Sequence, residues 1–108
     1  VPQVPLLGRV DAVVTHGGNN TVQECLAAGR PMVVIPFGGD QLANAHRVER
    51  LGVGVRMNAA DLSVDAVKSA VVSLADARIV ARSIGLARAL EAYRGVHAAA
   101  DAVLGIRP

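Results

Sequence analysis

Between His16 and Glu24 the sequence reads HGGNNTVQE, a histidine, a glycine pair, two amides, a hydroxyl and a carboxylate in close succession. An apolar run, Val10 to Thr15, precedes it, and a helical pattern follows. A strand that ends in Gly17-Gly18 and turns into a helix presents unpaired N–H groups and about half a positive charge. Glycines let an anion approach that backbone closely. His16 is suited to donate to a phosphate oxygen, and Asn20 and Thr21 add side-chain donors beside the helix start. Glu24 accepts only; beside an anion site it fits a carboxylate that takes two hydroxyl hydrogens, as from a ribose diol. A second turn, Phe37-Gly38-Gly39-Asp40-Gln41, offers a carboxylate and an amide, the chemistry that sugar hydroxyls need. Together the two turns read as diphosphate plus ribose at one strand end and a hexose at the next.

Each of these residues also has a plainer reading. Thr21-Val22-Gln23-Glu24 has the spacing of a capping box, with Glu24 bonding back to the helix start. His16 fits a satisfied, half-buried histidine at a strand end, and Gly17-Gly18 fits an ordinary turn. Asp40 fits an N-cap. Cys25 reads as a small core residue. His46 and His97 lack metal-ligand spacing and read as surface or packing residues, and Arg78 and Arg82 as a solvated helix face. The pattern calls for no metal, since no carboxylate pair is spaced to hold one.

The elements that position these residues alternate along the chain. Val10–Thr15 is expected to be a buried strand and Thr21–Ala28 a helix, with Val22, Cys25, Leu26 and Ala28 near helical spacing. Gly29 supplies a left-handed stop before Pro31. Met32–Pro36 is continuously apolar, the pattern of a parallel strand covered on both faces. A helix follows at Gln41–Leu51, with Leu42, Ala45, Val48 and Leu51 as its apolar stripe, and Gly52 ends it. A third strand covers residues 53–57. Ser63 caps a helix from Val64 to about Leu74, with Val64, Val67 and Val71 on one face. The remainder, Ala77 to Leu104, reads as helical with interruptions near Gly85 and Gly95. This order implies an α/β fold, a parallel sheet with right-handed crossovers. Three short strands, flanking helices and a helical tail make the second half of a Rossmann-like domain. The open edge at Val10–Thr15 is expected to invite aggregation.

Composition narrows the class. The chain has 108 residues, 52% hydrophobic and 19% charged, with Phe37 and Tyr93 as its aromatic pair. Its formal charge is +2, and the basic residues are scattered. That disfavours a nucleic-acid surface, which needs clustered cations to displace counterions. Cys25 is the single cysteine, so no internal disulfide forms and a reducing, cytoplasmic setting is expected. No apolar run approaches a membrane span, and no signal peptide opens the sequence. Lys68 is the only lysine among eleven basic residues, a bias that hints at a GC-rich bacterial genome.

The segments VPQVPLL, THGGNNTVQE, AAGRPMVVIP and GGDQLANAHRVERLGVG, in this order over Val1 to about Gly54, resemble the nucleotide-sugar signature of UDP-glycosyltransferases with the GT-B fold. The sequence looks like the bacterial natural-product and glycolipid enzymes in particular. The resemblance implies the donor-binding part of an inverting hexosyltransferase. Pro2 and Gln3 would edge the nucleotide base; His16, Gly18, Asn20 and Thr21 would hold the diphosphate, with Gly17 also in the substrate-binding set. Glu24 would hold the ribose, and Asp40 and Gln41 the donor sugar. The implied donor is a UDP- or TDP-sugar with no further cofactor, and the acceptor a hydroxyl of a small molecule or lipid. A lipid acceptor would place the enzyme peripherally at the membrane. Asn19 stands where plant relatives carry Trp. The catalytic base is expected in an N-terminal acceptor domain absent from this chain, which by itself should transfer no sugar. A non-catalytic remnant, a regulatory nucleotide binder, or an N-acetylglucosaminyl transferase or epimerase of the same fold are the competing readings.

Overall fold

The structure, a computed structural model, describes residues 3–6 and 10–104; for Gln3–Leu6, Val10, Asp101, Val103 and Leu104 it describes the backbone alone. Four strands form one sheet in the order β1 (Gln3–Leu6), β2 (Val10–Thr15), β3 (Met32–Val34), β4 (Gly54–Arg56). The last three are parallel, with Val13, Val14 and Thr15 opposite Met32, Val33 and Val34, and Met32, Val33 and Val34 opposite Gly54, Val55 and Arg56. Helices α1 (Asn19–Ala28) and α2 (Asp40–Leu51) form the crossovers, and α3 (Val64–Ser73) and α4 (Ala77–Leu104) complete the chain. The expected α/β arrangement of three short parallel strands with flanking helices is present.

The fourth strand is an addition to that arrangement. β1 runs antiparallel to β2, pairing Gln3 with Val13 and Leu6 with Val10. Its four residues include Pro5 and show no alternation, so periodicity carries no strand signal. Proline, which lacks an N–H, is tolerated because β1 lies at the sheet edge. The edge of β2, open on the sequence reading, is therefore covered.

Both sheet faces are packed, which is why the β3 segment is continuously apolar. Met32 and Val34 point into one cluster with Val13, Val22, Cys25, Ala45, Val48 and Val53, beneath α1 and α2. Val33 and Ile35 point into the other, with Ala12 and Leu74, beneath α3. Helix α4 serves both: Ile79 near its start packs on the second cluster and Leu86, two turns on, on the first.

Three local expectations are corrected. Helix α4 runs unbroken through Gly85 and Gly95. Each glycine costs roughly 1 kcal/mol against alanine, which a long Ala-, Leu- and Arg-rich helix docked on α1 absorbs. Leu42 and Val64, assigned to apolar stripes, are exposed, whereas Asn44 is buried in the α2 face beside Ala45 and Val48. The α1 helix starts two residues before Thr21, with Gly18 as N-cap, and α2 starts at Asp40 with Gly39 as N-cap. Gly29 and Gly52 are the left-handed stops, and Ser63 caps α3 by accepting from the Ala66 N–H.

Cys25 is a core residue, 4% exposed. Burial pushes its thiol above the ordinary 9.0; Arg30 opposes this and Glu24 adds to it. A raised value favours the neutral thiol in the folded chain, so its contribution to stability is complete below pH 9.0 and is lost as pH climbs through the folded value. Urea midpoints measured from neutrality upward should therefore fall more steeply in the parent chain than in Cys25→Ala, whose baseline is lower because of the cavity. Equal slopes above pH 9.0 would contradict this.

Candidate functional site

The carboxyl ends of β2 and β3 and the starts of α1 and α2 enclose a cleft of about 570 Å³. Val14, Thr15, His16, Gly18, Thr21, Ile35 and Gln41 line it. Of these, His16 is the one ionisable side chain. The cleft lies where ligands bind open parallel sheets.

The turn between β2 and α1 is built tightly. Thr15, 7% exposed, accepts the Gly17 N–H on its hydroxyl at 3.1 Å. Gly17 has φ +93 and is buried, and a Cβ there would stand 2.8 Å from Val34 Cγ1 and 3.1 Å from the Gln41 carbonyl oxygen. Helix α1 begins immediately after Gly18. The Val22 N–H donates to the Gly18 carbonyl, closing the first turn, so the N–H groups of Asn19, Asn20 and Thr21 precede the helical ladder. No side chain caps this end and no acidic residue stands in its first turn. The capping-box alternative for Thr21 and Glu24 is thus overturned: Thr21 lies inside the helix rather than at its cap. The N-cap alternative for Asp40 fails in the same way, since Gly39 caps α2 and Asp40 is its first residue. The two helix starts differ in charge, α1 without a carboxylate and α2 carrying Asp40.

Across the cleft, the Gln41 side chain turns back to accept the Phe37 N–H on Oε1 at 3.0 Å. That bond fixes the amide orientation, because an N–H requires the oxygen; the two Nε2 hydrogens are left over. The Phe37 ring, 64% exposed, packs on the His16 imidazole with centroids 4.9 Å apart and planes tilted by 55°. One residue therefore contacts a side chain from each turn.

Of the residues expected from the sequence, the structure brings His16, Gly18, Thr21 and Gln41 together in the cleft wall. Gly17 lies buried beneath them. Asn20, Glu24 and Asp40 are exposed and do not line it. Pairing of Gln3 with Val13 carries the start of β1 to the same end of the sheet; the Gln3 side chain, and all of Val1 and Pro2, lie outside the described residues. His46 is exposed, and His97 packs against Tyr93 at 4.3 Å. Among the described residues no group of three or more His, Cys, Asp or Glu is placed to hold a metal ion, and no helix is long and apolar enough to cross a membrane.

Sequence reasoning misses Asn44, Asn19 and Phe37. Asn44 stands four residues before Val48, on the buried face of α2, and that placement is the available signal: a buried amide requires partners. The contacts of Asn19 and Phe37 leave no trace in spacing.

A family model of UDP-glucoronosyl and UDP-glucosyl transferases matches residues 1–97. The chain belongs to this family. Within it, the chain is similar to the uncharacterized UDP-glucosyltransferase YojK of Bacillus subtilis (strain 168), 37% identical over 105 residues, covering 96% of this chain and 26% of that protein. Among solved structures it resembles the glycotransferase of kitacinnamycin, with TM-score 0.74 and 43% identity over 90% of this chain and 26% of the other. It also resembles the Streptomyces sp. SF2575 glycosyltransferase SsfS6 complexed with thymidine diphosphate, with TM-score 0.59 and 29% identity over 71% of this chain and 20% of the other. These neighbours place the chain in the GT-B fold. It spans about a quarter of the length of YojK and of the kitacinnamycin glycotransferase.

Proposed function

We propose that the chain binds the nucleotide-diphosphate sugar donor of an inverting glycosyltransferase, with UDP or TDP as the nucleotide and a hexose as the sugar. The observation that carries this reading is the start of α1: N–H groups ahead of the helical ladder, no side-chain cap, no carboxylate in the first turn, and His16 at the rim of the same cleft. A diphosphate supplies the missing acceptors. The thymidine diphosphate in the similar SsfS6 structure supports a nucleoside diphosphate as ligand.

In the proposed reaction a base in the acceptor domain removes the proton of an acceptor hydroxyl. The oxygen attacks the anomeric carbon from the face opposite the phosphate, and that carbon–oxygen bond breaks with its electron pair leaving on the diphosphate. His16 and the α1 start stabilise the growing charge; such preorganised donors act without reorganising. Glu24, one turn beyond Asn20, holds the ribose hydroxyls. Asp40 and Gln41 hold the sugar, the carboxylate accepting and Nε2 donating. An acidic helix start disfavours phosphate and suits neutral hydroxyls, which separates the roles of α1 and α2. The acceptor is a hydroxyl of a small molecule or lipid, and the reaction is cytoplasmic, at the membrane surface if the acceptor is a lipid.

Calorimetry of the 108-residue chain with UDP, TDP and pyrophosphate tests the assignment. His16→Ala should weaken all three by about tenfold or more, the scale of a hydrogen bond to a charged group. Glu24→Ala should weaken UDP, weaken TDP less because its deoxyribose lacks the 2′-hydroxyl, and leave pyrophosphate unchanged. Unaltered affinities in both variants refute the site.

A further inference from the structure

Asn44 lies on α2, is 4% exposed, and spends its side-chain nitrogen on the turn of a different crossover. Nδ2 donates to the Gly17 carbonyl oxygen at 2.7 Å and to Asn19 Oδ1 at 2.7 Å, across 27 and 25 residues of sequence. A primary amide has two such hydrogens, so both serve this turn. The two atoms it holds are acceptors beside the start of α1: a backbone carbonyl just before the Gly18 N-cap, and the side-chain oxygen of the first helical residue. Each carries negative partial charge that opposes an anion at this helix end.

We propose that Asn44 is a positioning residue for the diphosphate, setting the polarity of the β2–α1 turn from the neighbouring helix. Its two hydrogen bonds hold both acceptors, and they fix the Asn19 amide so that its nitrogen is the polar atom left over. With those two acceptors held, the turn presents the helix N–H groups and the Asn19 amide nitrogen to an anion, with His16 beside them. Gln41, one turn before Asn44 on the same helix, lines the cleft, so the tie also sets the spacing between the two halves of the site. This inference rests on the donor-site reading.

The test compares UDP with uridine, which has the base and ribose and lacks the phosphates. In Asn44→Ala the affinity for UDP should fall about tenfold, with uridine affinity and far-ultraviolet circular dichroism unchanged. A merely structural role would lower both ligands together, and that result, or an unchanged UDP affinity, overturns the inference. Should the variant unfold, nitrogen-edited NMR of the unaltered chain decides: UDP should shift both Asn44 side-chain N–H signals and uridine should leave them in place. Equal responses to the two ligands, or none, overturn it. If the unaltered chain binds neither UDP nor TDP, the donor-site reading itself falls; binding of UDP with insensitivity to Asn44 removes only the present inference.

Discussion

Gly54→Ala should destabilise the chain by about 3 kcal/mol or more, although it adds a single methyl group. A Cβ at Gly54 would overlap the Met32 carbonyl oxygen and stand 2.6 Å from Val48 Cγ1. Met32 is the paired residue on β3, and both Met32 and Val48 are fully buried. Neither neighbour has room to yield: one is backbone in the sheet's central parallel pair, the other a packed core side chain. Overpacking a core typically costs about 1–3 kcal/mol, and a backbone collision lies at or beyond the upper end. A domain of this size has roughly 5–15 kcal/mol in total. Gly85→Ala is the companion measurement. Gly85 is helical and exposed, with nothing within 4 Å of an added methyl, so alanine there should raise stability by up to about 1 kcal/mol. Denaturant midpoints moving in opposite directions for the two substitutions are the expected result. A Gly54→Ala midpoint within error of the parent would show that β4 does not approach β3 as described.

Gly17→Ala is expected to cost both stability and nucleotide binding, whereas Gly18→Ala should leave the fold intact. The φ of +93 at Gly17 strains any side chain, and the new Cβ meets Val34 Cγ1 at 2.8 Å and the Gln41 backbone oxygen at 3.1 Å. Strain at such a dihedral costs about 1–3 kcal/mol. Relief requires β3 and α2 to move away, and that movement pulls the Gly17 carbonyl from Asn44 and opens the turn. UDP affinity should then drop more than tenfold, the size of one lost charged hydrogen bond. Gly18, by contrast, has φ −63 and nothing within 4 Å of an added Cβ, and exchanging glycine for alanine at an N-cap costs little stability, about a kcal/mol or less. Thermal melts and UDP titrations of the two variants check this. Equal behaviour of the adjacent glycines would contradict the geometry of the turn.

Much of this architecture is legible in the residues. The continuous apolar run of β3 implies a strand covered on both faces, and Met32 and Val33 do pack into opposite clusters. The glycine stops at Gly29 and Gly52 and the Ser63 cap are local chemistry, set by φ preference and one side-chain oxygen, and they stand where the sequence places them. Where local signals compete with packing, they mislead. The glycines within α4 read as breaks, yet docking on α1 and both sheet faces outweighs their intrinsic cost. The Thr21–Glu24 spacing reads as a capping box, yet the turn admits the helix two residues earlier.

Residue type and short-range spacing are thus enough for the order of elements, the family resemblance, and the side chains whose chemistry suits a phosphate and a sugar. None of these needs knowledge of distant neighbours. Three features required the folded chain: β1 closing the edge of β2, the steric difference between two adjacent glycines, and Asn44 reaching across from α2 to hold the first turn. The edge pairing joins segments that carry no alternation to announce it. The other two depend on atoms brought within a few ångströms by parallel strand pairing, over separations of some twenty residues, and no local pattern encodes such a distance.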